Sequence, residues 1–375
     1  MKAEYTIGAV VSGIVVSGLL FLFLVSPSPA APTAASGAQA PEAALSPALA
    51  GAPTQGSASA PGTKGVPYAE ITDPSGFVNT GTNADGSPKP ITIKQFIGKK
   101  VILVDFLTYS CINCQRTFPY LNAWYEKYKD QGLEIIGIHT PEFAFEKDIN
   151  NVRAAMQKFG ITHPIVLDNN YGTWNAYGNQ YWPRKYLIDI HGNIVYDHVG
   201  EGAYDETEMK IKELLAERAK ALGTDMPADG SLAASAVPAV STAAGSPETY
   251  FGSARNQYLA NGASGTAGKQ TLSLPQTPAP NKLYLGGTWD ISSEYAAPED
   301  GASVLYRYNA KNVYLVASAA APVNVDVLQD GALVRTVTIA ASTLYPLIED
   351  AAAGEHTLLL RVKGTGLKLY TFTFG

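Results

Sequence analysis

The stretch VDFLTYSCINCQRTFP, residues 104–119, contains both cysteines of this 375-residue chain. A nearly continuous apolar run, Val101 to Phe106, leads into it, as expected of a buried central strand. Cys111 and Cys114 follow at a spacing of three, and the pattern after them predicts a helix to about Lys129. The two cysteines therefore lie at a predicted strand-to-helix junction. Three interpretations are open for them: a redox pair, half of a metal site, or a structural disulfide.

The position of Cys111 at the start of the predicted helix favours the redox interpretation. Unpaired amides and the helix dipole stabilise a thiolate there, so we expect Cys111 to attack and Cys114, one turn on and shielded, to resolve the mixed disulfide. A zinc site normally takes four ligands, whereas the sequence has no second CxxC motif and its five histidines show no ligand spacing. A structural disulfide across so short a loop would add little stability. We therefore expect a redox-active disulfide that needs no metal or other cofactor.

Three neighbouring features bear on that chemistry. Asp105 interrupts an apolar strand, where a buried carboxylate is costly unless used, and we expect it to accept a proton from Cys114. A structural aspartate at a strand end is the alternative. Pro119 falls inside the predicted helix and would kink it. A cis peptide at Trp182-Pro183 would bring backbone against the disulfide to pair with a substrate strand, and an ordinary turn proline is the alternative.

Residues 66–221 alternate predicted strands and helices. The predicted strands are 101–106, 133–138, 164–167, 186–190 and 193–196, and the predicted helices after the first are 145–159 and 205–222. A β-α-β start that feeds an antiparallel hairpin and a last helix predicts an α/β sandwich.

The quoted stretch resembles the strand, CxxC motif and kinked helix of the thioredoxin family. Asp105, Cys111, Cys114 and Pro119 stand at matching positions, and Pro183 stands at the cis-proline position. The preceding ITIKQFIGKK and the helix inserted at 145–159 resemble the membrane-tethered TlpA-type redoxin branch. YSCINCQR, GIHTPEFAFEK, LDNNYGTWNAY and YWPRKYLID resemble the extracytoplasmic part of DipZ-type proteins. The resemblance covers about 66–221 and implies a thioredoxin-like fold and thiol–disulfide oxidoreductase activity.

The sequence departs from the family pattern at two places. Ile112-Asn113 stands between the cysteines, instead of the Gly-Pro of thioredoxin or the Pro-His of strong oxidases, which leaves the direction of electron flow open. Many TlpA-type reductases carry a glutamate three residues after the second cysteine, where this chain has Thr117. Glu142, after the second predicted strand, is a candidate substitute acid, although a solvated loop carboxylate is the favoured interpretation.

The N-terminal residues 1–27 predict a membrane anchor. Ile7 to Val25 are nineteen residues without a charge, which as a helix would span about 28 Å, close to the bilayer core thickness. A cleaved signal peptide with a cut near Ser28-Pro29-Ala30 is the alternative, and both place the rest of the chain in the periplasm or another extracytoplasmic space. Residues 28–65 and 222–246 are rich in Ala, Pro, Ser and Gly, which predicts two flexible linkers.

Residues 247–375 predict an all-β sandwich or jelly roll. The last predicted strand is 367–374, and Tyr370, Phe372 and Phe374 are predicted to share its apolar face. PETYFG, GGTWDISSE and YTFTFG resemble the galactose-binding-like jelly roll that follows the thioredoxin fold in DipZ-type proteins, which implies glycan contact. Trp289 and Tyr295 are candidate sugar-stacking residues, although packing is the favoured interpretation. The other predicted strands are 283–285, 304–308, 313–316, 323–328, 333–339 and 357–362.

The leading hypothesis is a membrane-anchored extracytoplasmic thiol–disulfide oxidoreductase that reduces substrate protein disulfides. The net charge of −6, without a long run of either sign, argues against nucleic-acid binding. DipZ-type proteins begin with a CcdA-like multi-helix domain that passes electrons across the membrane. This chain has one hydrophobic segment, so the resemblance implies a separate membrane electron donor.

Two other functions remain open. One is a cell-envelope module that binds glycan or protein and carries a vestigial CxxC motif. The other is a thiol peroxidase, because Thr108-x-x-Cys111 mimics part of the peroxiredoxin signature. Val104 stands where that signature has a proline, which argues against the peroxidase.

Overall fold

The structure, a computed structural model, describes residues 65–225, 230–234, 237–238 and 244–375, which all belong to one compact unit. The predicted anchor, residues 1–27, and the predicted linker 28–65, apart from Gly65, lie outside the described residues. Within the described ranges, no helix has both the length and the apolar character needed to cross a membrane.

A seven-stranded mixed sheet forms the first domain. Its strands are β1 (Val66–Pro67), β2 (Gly76–Val78), β3 (Val101–Leu107), β4 (Leu133–His139), β5 (Ile165–Leu167), β6 (Arg184–Ile188) and β7 (Asn193–Val199). They lie in the order β1-β7-β6-β3-β4-β5-β2. The central strand β3 pairs parallel with β4 and antiparallel with β6, and all its residues are buried. Burial on both faces explains the apolar run that predicted this strand.

Four helices cover the two faces of this sheet: α1 (Ile112–Tyr128), α2 (Ile149–Lys158), α3 (Gly172–Ala176) and α4 (Tyr204–Leu222). Side chains alternate along a strand, so Leu103 and Leu107 of β3 pack with α1, α2 and α4, whereas Phe106 packs on the other face with α3. Asp105 falls in the same alternation as Leu103 and Leu107. It therefore points into the core that also contains Cys114 of α1.

The structure divides the predicted helix 145–159 into two pieces. Residues Ala144–Lys147 form a 3₁₀ turn, and α2 begins only at Ile149. Asp148 lies between them with extended backbone, and its side chain accepts a hydrogen bond from the amide of Asn150 at 2.8 Å. An aspartate in this position caps the following helix, so the prediction of a single helix was wrong at its N-terminal end.

The C-terminal region is all-β, as predicted, and the pairings between its strands are antiparallel. Its strands are β8 (Thr249–Tyr250), β9 (Gly268–Leu272), β10 (Leu283–Ile291), β11 (Ala296–Pro298), β12 (Ser303–Ala319), β13 (Val323–Gln329), β14 (Ala332–Ile339), β15 (Thr343–Lys363) and β16 (Leu367–Phe374). The predicted strands 304–308 and 313–316 are one long strand, β12. A register shift between Ala310 and Asn312 lets the strand continue through residues that read as a break.

A second register shift changes the predicted faces of β16. The pairing with β12 shifts between Val316 and Ala317, opposite Tyr370. Phe372 and Phe374 therefore pack in the core of the C-terminal domain, whereas Tyr370 packs in a separate cluster against the first domain. The prediction that these three aromatic residues share one face was wrong, because strict alternation does not survive a bulge.

The described part of residues 222–246 contacts the first domain. Helix α4 ends at Leu222, and Gly223 adopts the left-handed conformation that follows many helices. The amides of Ala233 and Ala234 donate to the buried carboxylate of Glu208 on α4, at 2.6 and 2.7 Å. This part of the predicted linker is therefore held against α4.

An apolar cluster joins the two domains beside the cysteine motif. Ile112, which lies between the two cysteines, is only 8% exposed because it is part of this cluster. The other buried members are Phe143 from the first domain and Tyr250, Val316, Leu344 and Tyr370 from the second. The C-terminal domain therefore packs against the motif itself.

A largely buried ion pair lies at the same domain interface. A guanidinium nitrogen of Arg255 lies 2.7 Å from Oε1 of Glu142, and the hydroxyl of Tyr250 donates to the same oxygen at 2.9 Å. The two charged side chains are 16% and 9% exposed, respectively. By contrast, the pair between Arg335 and Glu349 in the second domain is 37% and 54% exposed.

We expect Arg255→Met to lower the free energy of unfolding by about 3 kcal/mol, because it leaves the Glu142 carboxylate buried without its partner. The matched control, Arg335→Met, removes the cation of the exposed pair and should cost less than about 1 kcal/mol. Urea unfolding of the two variants and the unchanged chain, followed by tryptophan fluorescence, measures both losses. Equal losses would show that the interface pair contributes no more than a surface pair.

Candidate redox site

The two cysteines are free thiols at the junction of β3 and α1. Cys111 is the N-cap residue of α1, with extended backbone, and is partly exposed. Cys114 lies one turn further along the helix and is fully buried. The structure thus gives the two sulfur atoms different access to solvent.

Burial raises the pKa of the Cys114 thiol well above its usual range. A hydrogen bond with Cys111 and the nearby Asp105 carboxylate raise this pKa further. Cys114 is therefore expected to stay protonated near neutral pH, and it needs a proton acceptor before it can act as a nucleophile.

Asp105 lies in the core beside Cys114, as the alternation along β3 requires. It is fully buried, and neither of its carboxylate oxygens has a hydrogen-bond partner among the residues that the structure describes. Burial raises the pKa of Asp105 to about 7, and the charge of Lys185 acts in the opposite direction. Such a carboxyl exchanges its proton near neutral pH, as a proton acceptor must.

Lys185 is a member of the site that the sequence analysis missed. It pairs with Asp105 across β3 and β6, it is fully buried, and its ammonium group donates to the carbonyl of Gly200 at 3.1 Å. Burial lowers the pKa of this lysine. A lysine two residues after Pro183, directly before the predicted strand 186–190, was the available signal.

The peptide bond between Trp182 and Pro183 is cis. Pro183 is buried, and Trp182 is partly buried between the two cores of the first domain. The indole nitrogen of Trp182 donates to the carbonyl of Thr140 at 3.1 Å, and its ring lies 4.3 Å from that of Trp174. These contacts hold the dipeptide at the start of β6, the strand next to β3.

Glu142 is neither solvated nor free. Its ion pair with Arg255 and its hydrogen bond from Tyr250 place its carboxylate at the domain interface. The favoured interpretation of a solvated loop carboxylate was therefore wrong. Thr117, which replaces the glutamate of many TlpA-type reductases, donates to the carbonyl of Asn113 at 3.0 Å within α1.

The two candidate sugar-stacking residues of the C-terminal domain are both packed. Trp289 is fully buried, and its indole nitrogen donates to the carbonyl of Gly286 at 3.0 Å. The ring of Tyr295 lies 5.5 Å from that of Tyr370, and the ammonium group of Lys368 lies 4.5 Å from its centre. The favoured interpretation of packing is confirmed for Trp289.

The geometry therefore assembles a partly exposed thiol, a buried thiol and a buried carboxyl within one junction. Within the described ranges, no group of three or more His, Cys, Asp or Glu side chains is placed to hold a metal ion. The arrangement is suited to the transfer of two electrons between dithiol and disulfide, with a local proton acceptor.

Comparison with known proteins agrees with this chemistry. The profile of the Redoxin family matches residues 37–215, and a profile described as thioredoxin-like C-terminal domain matches residues 246–375. Protein DipZ of Mycobacterium tuberculosis and of Mycobacterium bovis is 37% identical over 319 residues, which cover 84% of this chain and 43% of DipZ. This chain thus spans less than half the length of those relatives.

Two shorter relatives match about a third of this chain. Thiol-disulfide oxidoreductase YkuV of Bacillus subtilis is 29% identical over 127 residues, which cover 34% of this chain and 85% of YkuV. Thiol-disulfide oxidoreductase ResA of Halalkalibacterium halodurans is 32% identical over 127 residues, which cover 33% of this chain and 65% of ResA. The two profiles lie one after the other along the chain, so it carries a redoxin domain followed by a region that matches the thioredoxin-like C-terminal domain.

Proposed function

We propose that the chain is a thiol–disulfide oxidoreductase in which Cys111 and Cys114 form the redox-active pair. The observation that carries this proposal is the difference in burial between the two thiols at the N-terminus of α1. A partly exposed thiol can reach a substrate, whereas a buried one reacts with its neighbour. The names of YkuV and ResA support the same reaction class for this chain.

The proposed reaction takes two steps. The Cys111 thiolate attacks one sulfur of a substrate disulfide, forms a mixed disulfide and displaces the other substrate sulfur as a thiolate. Cys114 then gives its proton to Asp105, attacks the sulfur of Cys111 and releases the second substrate thiolate. The substrate gains two electrons, and the chain is left with a Cys111–Cys114 disulfide that a reductant must reopen.

The substrate is proposed to be a protein disulfide held in extended conformation. Trp182 and Pro183 directly precede β6, which pairs with the strand that leads to Cys111, and this placement supports a role in pairing with the substrate backbone. Reduction is the proposed direction, because Asp105 assists the step in which the dithiol is consumed.

The proposed location is the extracytoplasmic side of a membrane, with residues 1–27 as the anchor. The charge-free run of nineteen residues in this segment supports it. The identity to DipZ supports a redox relationship with a membrane partner, and we propose a separate CcdA-like electron donor. For the C-terminal domain we propose a jelly-roll architecture with a glycan or protein ligand.

The first measurement is the equilibrium redox potential of the Cys111–Cys114 pair. The full chain would be equilibrated in dithiothreitol or glutathione buffers, and the thiols would be trapped and counted by mass shift. We expect a potential near about −250 mV or lower, which is typical of thioredoxin-like reductases. A value near about −120 mV would indicate a strong oxidant and reverse the proposed direction.

Three further observations test this function against its rivals. A Cys114→Ser variant cannot form the internal disulfide and should show no two-electron transition. Oxidation of Cys111 by hydrogen peroxide that outpaces its reaction with protein disulfides would instead favour a thiol peroxidase. A pair that exchanges with no disulfide at all would favour a binding protein with a vestigial motif.

A further inference from the structure

A second buried carboxylate lies directly behind the cysteine motif, and the proposed reaction does not use it. Glu146 is fully buried in the 3₁₀ turn that follows β4. Its Oε1 accepts a hydrogen bond from the hydroxyl of Ser110 at 2.5 Å and one from the Ser110 amide at 3.3 Å. Its Oε2 accepts the amides of Glu142 and Phe143 at 2.6 and 3.0 Å. Four donors from two loops therefore converge on one carboxylate.

Oε1 of Glu146 binds the residue that precedes Cys111. Ser110 is the residue before Cys111, and Cys111 is the N-cap residue of α1. Because Ser110 is held by both its amide and its hydroxyl, the chain enters the helix at a defined place. The position of the Cys111 sulfur relative to the helix N-terminus therefore depends on Glu146.

Oε2 of Glu146 binds the loop that contacts the C-terminal domain. The side chain of Glu142 pairs with Arg255, and the ring of Phe143 lies 4.9 Å from that of Tyr370. The loop that makes these contacts is the loop whose amides bind Glu146. One carboxylate thus connects the residue before Cys111 to the residues that contact the second domain.

We propose that Glu146 is a positioning residue for the Cys111 thiol, holding Ser110 in register with the loop that contacts the C-terminal domain. The inference rests on the proposed function, since it assigns a role toward the attacking thiol. A carboxylate needs such donors to be tolerated in a core. Two of the four donors belong to Ser110, the residue before Cys111, which gives the hydrogen bonds a use beyond stability.

Titration of Glu146 provides a signature for this role. Burial raises the pKa of Glu146 to about 7, and the hydrogen bond from Ser110 opposes that shift. The ionised form accepts a stronger hydrogen bond from Ser110 than the neutral form does. The titratable and charged groups around it are Glu142 with its partner Arg255, Asp148, Tyr109, Tyr171 and Tyr370.

The test uses the full chain with Cys114→Ser and Asp105→Asn, which leaves Cys111 as its single thiol and removes the other nearby carboxyl whose pKa burial raises to about 7. The rate of its reaction with iodoacetamide would be measured from about pH 5 to pH 9, which covers the range in which cysteine thiols ionise. With Glu146 intact we expect two inflections, one from the thiol and one near neutral pH. In Glu146→Gln we expect the second inflection to vanish and the rate at high pH to fall roughly tenfold, because a charge-assisted hydrogen bond is lost.

The matched control is Asp148→Asn, which removes an exposed carboxylate two residues away that caps α2 and does not contact Ser110. It should leave both the rate and the pH profile unchanged. A Glu146→Gln variant that behaves like this control in both respects would overturn the proposal. If Glu146→Gln does not fold by circular dichroism, Ser110→Ala decides, with a roughly threefold slower reaction expected and an unchanged one overturning the proposal.

This readout is independent of disulfide exchange. Iodoacetamide reports the Cys111 thiol alone, whereas reduction of a protein disulfide by the chain with both cysteines tests the proposed function. Loss of the second inflection in a chain that reduces no disulfide would support the positioning role and reject the oxidoreductase. The other outcome is disulfide reduction by the chain with both cysteines, together with a Glu146→Gln variant whose alkylation is unchanged. That outcome would support the oxidoreductase and reject the positioning role.

Discussion

Cys111→Ser is expected to lower the rate of protein disulfide reduction by at least about a thousandfold, because Cys111 is the one of the two thiols that a substrate can reach. Cys114 cannot substitute for it, since this thiol is fully buried and burial raises its pKa. The measurement is the reduction of insulin disulfides by the full chain in dithiothreitol, compared with the chain that carries both cysteines.

Cys114→Ser is the informative counterpart. Its attacking thiol is intact, so it should form a mixed disulfide with the substrate and then stop. Gel electrophoresis without reductant should show that adduct for Cys114→Ser and for no other variant. Exchange that persists in Cys111→Ser, or an adduct formed through Cys114, would contradict the assigned roles.

Asp105→Asn is expected to remove a pH dependence from the stability of the fold. Burial raises the pKa of Asp105 from its ordinary 3.8 to about 7. Between these two values the folded chain holds a proton that the unfolded chain has released, so stability falls as the pH rises through this range and the loss is complete above it. The loss between about pH 5 and pH 8 should be on the order of 3 kcal/mol, at about 1.4 kcal/mol for each pH unit.

Urea unfolding of the reduced chain at these two pH values measures the effect. Asp105→Asn should reduce the difference between the two pH values by the loss assigned to Asp105, while Glu146, whose pKa burial also raises to about 7, continues to contribute. Asp290→Asn, which changes an exposed aspartate of the second domain, should preserve the whole difference. An equal pH dependence of stability in both variants would show that the pKa of Asp105 is not raised in the folded chain.

The elements around the cysteines could be predicted from sequence because their determinants are local. An apolar run predicted β3, the CxxC motif predicted the junction, and β16 was predicted with its observed bounds. The α2 region was misjudged because apolar spacing does not register a cap such as Asp148. The long strand β12 was divided for a similar reason, since a bulge and a turn leave similar traces in sequence.

The partners of the site could not be predicted, because they depend on contacts distant in sequence. Lys185 reaches Asp105 only through the register of β6 on β3. Glu146 reaches Ser110 only when the loop after β4 folds behind the cysteines. Glu142 was selected as a candidate acid from its position in the loop, but Arg255 lies more than a hundred residues away and engages it.

The burial of Ile112 under the second domain restricts which substitutions can change the redox potential of the Cys111–Cys114 pair. In the thioredoxin family the two residues between the cysteines help to set the redox potential. Here one of them is also a packing residue against Val316, Leu344 and Tyr370. A substitution of Ile112 that shifts the redox potential of the pair will therefore also change how the second domain packs, so at this position the redox potential and the domain interface cannot be changed independently.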